Sequence, residues 1–110
     1  MKLQPLLLRL QCVLQLASDI AAGLQYVHSV GICHADVTPR NILVQRQPHV
    51  LPMGCVAKLA DFGLSRSIPA SQVCVENACR GTPFYIAPEV VRSGALCQQS
   101  DIYRCVPARL

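Results

Sequence analysis

The stretch HADVTPRN, residues 34–41, decides how this chain folds, because regular structure is predicted on both sides of it. It combines a proline with several polar residues, which predicts a loop. Two further short motifs follow in order, DFG at residues 61–63 and GTPFYIAPE at residues 81–89. Each motif alone is a weak signal: a lone DFG is more often a turn beside a buried Phe, and an H-x-D loop is more often a turn capped by its Asp.

A long amphipathic helix is predicted immediately before this loop. Apolar residues recur at steps of three and four over residues 10–27, and polar residues fall on the other side. This is the pattern of a helix with one buried face, and Gly31 suits its C-terminal cap. We therefore predict a core helix over residues 6–29, a short helix at residues 88–92 and another near Ser100, an N-cap candidate.

Two short strands are predicted after the loop, at residues 42–44 and 56–60. The intervening residues 45–55 hold two Pro and one Gly, which predicts the connection of a β-hairpin. From residue 61 to residue 89 no period holds, which is typical of a long segment that is functional or disordered. The predicted fold class is α+β, mainly α-helical with a short β-hairpin.

The composition favours an ordered chain of one small domain at most. The chain has 110 residues, of which 52% are hydrophobic and 15% are charged, whereas disorder needs low hydrophobicity and high charge. We expect exposed apolar surface if the chain stands alone. The net charge of +4 comes from scattered Arg and Lys without a basic run, so we expect no nucleic-acid partner.

The cysteines and the N-terminus favour a cytoplasmic protein or the cytosolic part of a larger protein. No C-x-x-C pair and no His at zinc-finger spacing accompany the cysteines, so we expect reduced thiols, with a disulfide framework or a zinc site as the alternatives. There are seven, at positions 12, 33, 55, 74, 79, 97 and 105. The leucine-rich start resembles a signal peptide, but Arg9 and Gln11 interrupt it and no cleavage site ends it. No stretch reaches the roughly 18 apolar residues of a membrane span, so we expect no membrane partner.

Together, in this order and at this spacing, the three motifs resemble the signature set of the eukaryotic protein kinase family. The stretch AAGLQYVHS, residues 21–29, is similar to the helix that leads into the catalytic loop of that family. The resemblance extends over residues 7–103. It implies that residues 1–103 are part of a kinase domain, a fragment of its C-terminal lobe from the long helix through the activation segment to the start of the next helix. Residues 104–110 look like a non-matching tail.

The resemblance implies a serine/threonine-type protein kinase with ATP and Mg²⁺ as cofactors and a protein substrate. Phosphoryl transfer needs an oriented hydroxyl and cations that neutralise the phosphate oxygens. Asp36 matches the catalytic base of the family. Asn41 and Asp61 match its magnesium ligands, and amide and carboxylate oxygens suit a hard cation. In the same motif Phe62 is expected to pack and Gly63 to let the backbone turn.

Further positions carry over from the family by their motifs. Thr82, Pro83 and Glu89 fall in the serine/threonine-type segment that positions the substrate. His34 matches a structural residue of the catalytic loop. Asp101 matches the residue that opens the next helix and accepts hydrogen bonds from the catalytic-loop backbone, with a simple helix cap as the alternative.

Two positions in the loop depart from the family. Ala35 stands where many members have an Arg that pairs with a phosphate on the activation loop, so we expect such phosphorylation not to be read in the usual way. The candidate phosphorylation sites in that segment are Ser65, Ser67 and Ser71. Thr38 occupies a catalytic position where serine/threonine members have a Lys that contacts the γ-phosphate. Losing one such charge typically costs about 2.7–4 kcal/mol of transition-state stabilisation.

The other departure is the lack of the family's nucleotide-binding lobe. No Gly-rich loop precedes the helix, and Lys2 and Lys58 are the only lysines, neither of them at the position of the family's strand lysine. Three interpretations therefore stay open: a truncated kinase that is inactive alone, a non-catalytic kinase-like binding or regulatory fragment, and a partial gene product without function. For the tail we expect a gene-model error or a retained intron.

Overall fold

The long helix α1 spans Leu3–Ser29, which confirms the predicted core helix and starts it three residues earlier. The computed structural model describes residues 3–76 and 85–105. Gly31 ends the helix in a left-handed conformation with φ of 78°, and its N–H donates to the carbonyl of His28 at 3.0 Å. Only a residue without a Cβ adopts that conformation freely, so the predicted glycine cap is also confirmed.

The two halves of α1 differ in burial. Near its C-terminal end Leu24 and Val27 are buried, whereas large apolar side chains towards its start are at least half exposed, namely Leu6, Leu7, Leu8, Leu10, Val13 and Leu14. By length and composition Gln4–Ser29 could cross a membrane, with a mean hydropathy of 1.3 over its most apolar stretch. The expectation that no segment is apolar enough was therefore wrong. A core helix of a larger soluble domain has the same composition, so this alone is weak evidence for a membrane.

Residues 3–76 and 85–105 contain six short strands, which form three separate antiparallel pairs, β1 with β4, β2 with β3 and β5 with β6. The longest of these are β2 and β3, which pair in register from Ile42 opposite Leu59 to Arg46 opposite Cys55. This confirms the predicted hairpin. The strands are β1 (Ile32–Cys33), β2 (Ile42–Arg46), β3 (Cys55–Leu59), β4 (Arg66–Ser67), β5 (Cys74–Val75) and β6 (Leu96–Cys97).

The hairpin packs on α1 through a polar and an apolar contact. Asp19 of α1 accepts a hydrogen bond from the backbone N–H of Ala57 at 3.0 Å, and Gln15 donates to the other oxygen of the same carboxylate at 2.9 Å. One turn further along α1, a Cβ added to Gly23 would lie 3.8 Å from the Cβ of Leu59. Because β2 begins directly after residue 41, this packing fixes the C-terminal end of the loop at residues 34–41.

Three shorter helical elements complete the fold, a 3-10 turn at Pro39–Asn41, helix α2 at Pro88–Ser93 and helix α3 at Gln98–Cys105. Helix α2 confirms the prediction at residues 88–92. Helix α3 begins two residues before Ser100, so Ser100 is not the N-cap. Its hydroxyl instead accepts from the N–H of Cys97 at 3.3 Å, as a side chain in the first turn does in a capping box.

The main apolar cluster lies around α2 and the loop before β2. Its buried members are Cys33, Ala35, Ile68, Ala87, Val90 and Leu96. Cys33 and Ala35 flank His34, so the first part of the loop is packed into the core rather than suspended over it. Burial, and then the nearby carboxylate of Asp101, raise the pKa of the Cys33 thiol, which donates to the carbonyl of Cys97 at 3.3 Å.

One disulfide joins the two strands of the third pair. Cys74 of β5 is bonded to Cys97 of β6, with their Cα atoms 4.5 Å apart, a separation at which disulfides form. The expectation of reduced thiols was therefore wrong for these two residues. Within residues 3–76 and 85–105 no group of three or more His, Cys, Asp or Glu side chains could hold a metal ion, so the zinc alternative gains no support there.

Candidate active site

Helix α3 anchors the start of the loop through one buried carboxylate. Asp101 is fully buried, and it accepts hydrogen bonds from the backbone N–H groups of His34 at 2.8 Å and Ala35 at 2.9 Å. The Nε2 atom of His28, at the end of α1, lies 2.8 Å from the same carboxylate. Hydrogen bonds to an ionised group are about twice as strong as neutral ones, so α3 holds both the loop and the end of α1.

The imidazole of His34 joins the loop to the DFG motif. Its Nδ1 accepts from the backbone N–H of Asp36 at 3.1 Å, which requires the proton of the neutral ring to be on Nε2. That Nε2 donates to the carbonyl of Ala60 at 2.8 Å. The ring also packs edge-on against Phe62, with centroids 4.8 Å apart, a favourable aromatic geometry. His34 therefore holds Asp36 at a fixed place relative to residues 60–62.

Asn41 contacts Asp36 directly, although five residues separate them. Its Nδ2 donates to the backbone carbonyl of Asp36 at 2.7 Å and to its carboxylate oxygen Oδ2 at 3.2 Å. Both residues are poorly accessible, since Asn41 is 8% exposed and the side chain of Asp36 is 13% exposed. The amide thus orients one oxygen of the carboxylate while the other remains for a different partner.

The loop that carries Asp61 lies beside Asn41 but is more open. The N–H of Ala60 donates to the carbonyl of Asn41 at 2.8 Å, which places the two loops side by side. Asp61 and Gly63 are exposed, and the carboxylate of Asp61 accepts from the N–H of Gly63 at 3.1 Å. This bond within the DFG motif is therefore exposed to solvent.

In the part of the chain that the structure describes, two residues other than glycine adopt left-handed backbone conformations, and both lie at this site: Ala35 with φ of 72° and Asp61 with φ of 57°. Such conformations cost about 1–2 kcal/mol per residue and concentrate at functional sites. The turn of the DFG motif is therefore made by Asp61 and not, as the sequence predicts, by freedom at Gly63. Gly63 instead leaves room for the Asp61 side chain, because a Cβ added at residue 63 would lie 3.1 Å from an oxygen of that carboxylate.

Thr38 places a buried hydroxyl in the middle of the loop. The residue is 3% exposed and precedes the 3-10 turn, where its carbonyl accepts from the N–H of Asn41 at 2.9 Å. Its Oγ1 has no hydrogen-bond partner among the described residues. Buried polar atoms are usually paired, so this hydroxyl is an exception within the loop at residues 34–41.

Arg104 also reaches the site, although no motif in the sequence predicts it there. Its Nη1 lies 3.4 Å from Oδ1 of Asp36, and its side chain is only 3% exposed. The sequence interpretation assigned this residue to a non-matching tail, but α3 continues through Cys105. The available signal was its position three residues after Asp101, because that spacing places both side chains on one helix face.

The predicted magnesium ligands have the right chemistry for that ion. The hydrogen bonds that Asn41 makes to Asp36 use its amide nitrogen, which leaves the amide oxygen as the ligand atom, and Asp61 adds a carboxylate. Mg²⁺ prefers hard oxygen ligands and is usually held by one or two protein side chains together with substrate phosphates and water. Asn41 and Asp61 therefore fit a magnesium ion that also contacts a nucleotide.

Of the three predicted substrate-positioning residues, the structure describes Glu89. Glu89 lies in the first turn of α2, where its side chain is exposed. Thr82 and Pro83 lie outside the described residues. The site that the structure brings together thus consists of His34, Asp36 and Asn41 with the adjoining DFG loop, and with Asp101 and Arg104 of α3 behind them.

Comparison with known proteins decides the family. Residues 6–106 match the protein kinase domain family. The chain belongs to the protein kinase family. The matched range includes the catalytic loop, the DFG motif and all of α3, so Arg104 lies inside the kinase match.

The curated relatives are also kinases. The dual specificity testis-specific protein kinase 2 of Rattus norvegicus is 41% identical over 90 residues, which are 81% of this chain and 15% of that protein. A LEAF RUST 10 disease-resistance locus receptor-like protein kinase of Arabidopsis thaliana is 41% identical over 82% of this chain and 12% of its own length. The serine/threonine-protein kinase RUNKEL of Arabidopsis thaliana is 41% identical over 74% of this chain and 5% of its own length. This kinase chain thus spans a small part of each relative.

Proposed function

We propose that this chain forms part of the C-terminal lobe of a protein kinase that transfers the γ-phosphoryl group of ATP to Ser or Thr hydroxyls of protein substrates. The observation that carries the proposal is the contact between Asn41 and both the backbone and the carboxylate of Asp36, next to the loop of Asp61. A base and the two candidate ligands for magnesium are then neighbours, which phosphoryl transfer requires.

In this proposal Asp36 accepts the proton of the substrate hydroxyl as that hydroxyl attacks phosphorus. Such a base contributes on the order of 10²–10⁴ in rate when it is correctly placed. Asn41 and the ring of His34 hold Asp36 by separate hydrogen bonds, so its carboxylate does not have to be ordered when substrate binds. That preorganisation is the contribution of this chain to lowering the barrier.

Asn41 and Asp61 would hold magnesium, which neutralises charge on the phosphate oxygens when it is bound. The openness of the Asp61 loop suits this role, because ligands must approach the carboxylate. Thr82, Pro83 and Glu89 are proposed to position the acceptor segment of the substrate, and His34 and Asp101 to support the loop.

The choice of Ser or Thr as acceptor rests on the GTPFYIAPE segment at residues 81–89 and on a serine/threonine-protein kinase among the relatives. Other relatives are described as dual specificity kinases. Identifying the phosphorylated amino acid in the product therefore belongs to the experiment.

The second candidate is a non-catalytic kinase-like module that binds or regulates another protein. Two features favour it, the replacement of charged family residues by Ala35 and Thr38, and the exposed apolar half of α1. The 110 residues alone are expected not to turn over ATP. They contain no Gly-rich loop and no strand lysine at the family position, so much of the binding energy for the nucleotide is lacking.

A cytoplasmic location completes the proposal and is tested separately. Disulfides are rare in reducing compartments, so the bond between Cys74 and Cys97 argues against this location and makes it testable. Alkylation of thiols in intact cells, followed by mass spectrometry of the two peptides, tests the location. Alkylated Cys74 and Cys97 would support a reducing compartment, whereas a persistent disulfide would contradict it.

The function is tested by incubating the full-length protein with Mg²⁺ and γ-labelled ATP and with peptide libraries that contain Ser, Thr or Tyr. We expect transfer to Ser or Thr that falls by at least about 100-fold in Asp36→Asn. Glu76→Gln is the matched control, because Glu76 is an exposed acidic residue outside the site. Equal transfer by the wild type and Asp36→Asn would contradict the catalytic proposal and leave the binding module.

A further inference from the structure

Arg104 is the buried cation of this site. Its side chain is 3% exposed, and its Nη1 lies 3.4 Å from Oδ1 of Asp36. The side chain of Asp36 is 13% exposed. Burying a guanidinium costs several kcal/mol unless a carboxylate or several acceptors satisfy it. An arginine held at this depth therefore indicates a specific arrangement around Asp36 rather than a side chain that lies there by default.

Two positions of the loop, Ala35 and Thr38, carry no charge. Ala35 packs in the apolar cluster, and Thr38 presents a buried hydroxyl with no partner among the described residues. Arg40 is the one cationic residue of the stretch 34–41, and it is exposed. Arg104 brings a positive charge to the carboxylate from a different element, across 68 residues of sequence.

The two oxygens of the Asp36 carboxylate have different partners. Asn41 donates to Oδ2 at 3.2 Å, and Arg104 donates to Oδ1 at 3.4 Å. Donors on both oxygens restrict rotation of the carboxylate about its last torsion angle more than the Asn41 bond alone does. The arginine interaction is the longer one, so it guides the carboxylate through charge as much as through hydrogen bonding.

Helix α3 supplies two kinds of support to the same loop. Asp101 holds the backbone of His34 and Ala35, and Arg104, three residues later on the same helix face, holds the side chain of Asp36. Because Asp101 and Arg104 lie on one helix, α3 sets the positions of both the loop backbone and the Asp36 carboxylate.

We infer that Arg104 is a positioning residue, which holds the Asp36 carboxylate from α3 and supplies positive charge to it from outside the loop. This inference rests on the proposed function for its catalytic consequence, but the contact itself does not. A cation introduced at position 38, two residues from Asp36 in the same loop, would offer the carboxylate a substitute partner.

The catalytic test uses the full-length protein and compares Arg104→Gln, Arg104→Lys and Arg104→Gln combined with Thr38→Lys. We expect Arg104→Gln to lower kcat for peptide phosphorylation by about 10- to 100-fold with little change in KM for ATP, because a misplaced reactive group slows the chemical step. Arg104→Lys should keep most of kcat. Adding Thr38→Lys to Arg104→Gln should raise kcat at least tenfold. The same Thr38→Lys substitution should change kcat by less in the protein that keeps Arg104. The exposed Arg92 provides the control variant Arg92→Gln, which should leave kcat unchanged.

If Arg104 only stabilised the fold, Lys at position 38 would not restore kcat. That outcome, or an unchanged kcat in Arg104→Gln, would overturn the inference. If the wild type shows no transfer above Asp36→Asn, the proposed function has failed, and the contact is tested by urea unfolding of Arg104→Gln, Asp36→Asn and the double variant. We then expect a coupling factor of about tenfold in the unfolding equilibrium constant, whereas additive effects would overturn the inference.

Discussion

The loop at residues 34–41 and the DFG loop at residues 61–63 lie side by side, yet they are built differently. His34 and Thr38 are almost fully buried, and the first loop is bonded to α3, to Ala60 and to itself. In the second loop Asp61 and Gly63 are exposed, and Phe62 is 44% exposed. The first loop is held by the protein, whereas the second has capacity left for a ligand.

This difference separates the two kinds of work in the proposed reaction. A base must be placed to within a fraction of an ångström before substrate arrives, and the buried bonds of Asp36 do this. A metal ligand must stay accessible until the nucleotide brings the ion, and Asp61 is accessible. The left-handed residue in each loop shows that both are shaped at some cost in backbone energy.

The largest expected effect is loss of the buried anchor of the first loop. Asp101→Ala removes the acceptor for the N–H groups of His34 and Ala35, and each unpaired buried group costs about 1–3 kcal/mol. We expect the free energy of unfolding to fall by about 3–5 kcal/mol in urea titrations. Asp61→Ala is the matched control in the second loop, where a loss below about 1 kcal/mol is expected. Similar losses in both variants would show that the two loops do not differ as described.

The next effect concerns the segment that follows the DFG loop. The disulfide between Cys74 and Cys97 closes 23 residues of sequence separation, and a closed loop of that size contributes about 3 kcal/mol by restricting the unfolded chain. Adding a reductant should lower the free energy of unfolding by about that amount. Cys74→Ser should have the same effect and make the protein insensitive to reductant. Cys12→Ser, at a free cysteine, should change neither the free energy of unfolding nor its response to reductant. Equal stability of the wild type with and without reductant would show that the disulfide does not stabilise the fold.

Local patterns predicted the regular elements well. Helix α1 and the β2–β3 hairpin follow from periodicity and from turn residues within one short window. The pairs β1–β4 and β5–β6 could not be predicted from such local patterns, because each strand has two residues and its partner is distant in sequence, as with Ile32 opposite Ser67. The start of α3 was missed since its first turn is capped by Ser100 from within the helix and not from before it.

For the site, motif spacing identified Asp36, Asn41 and Asp61, which the structure brings to neighbouring loops. It did not identify Arg104, because the burial of an arginine is decided by which surfaces pack together and leaves no local pattern. The turn at Asp61 was also assigned to the wrong residue. The sequence indicated where a sharp turn occurs, but the left-handed residue in that turn is Asp61.

A smaller effect is expected where the two loops touch. Phe62 contacts the buried ring of His34 at 4.8 Å between centroids but stays 44% exposed. We expect Phe62→Ala to lower the free energy of unfolding by about 1–2 kcal/mol, whereas a fully buried Phe would cost about 3–5 kcal/mol. Phe62→Leu, which retains apolar bulk but not the aromatic pair, should lie between the wild type and the alanine variant in the same urea titrations. A loss of 3 kcal/mol or more for Phe62→Ala would mean that the second loop is as firmly packed as the first.

The smallest effect has the opposite sign and tests the first loop from inside. Thr38→Val keeps the shape of the side chain and removes a buried hydroxyl that has no partner among the described residues. Because the hydroxyl loses hydration without gaining a hydrogen bond, its removal should raise the free energy of unfolding by about 1 kcal/mol. Thr38→Ser is the control, since it keeps the hydroxyl and loses a methyl group, and should lower stability. A destabilised Thr38→Val would show that the hydroxyl is paired in solution, and the first loop would then be fully satisfied before any ligand binds.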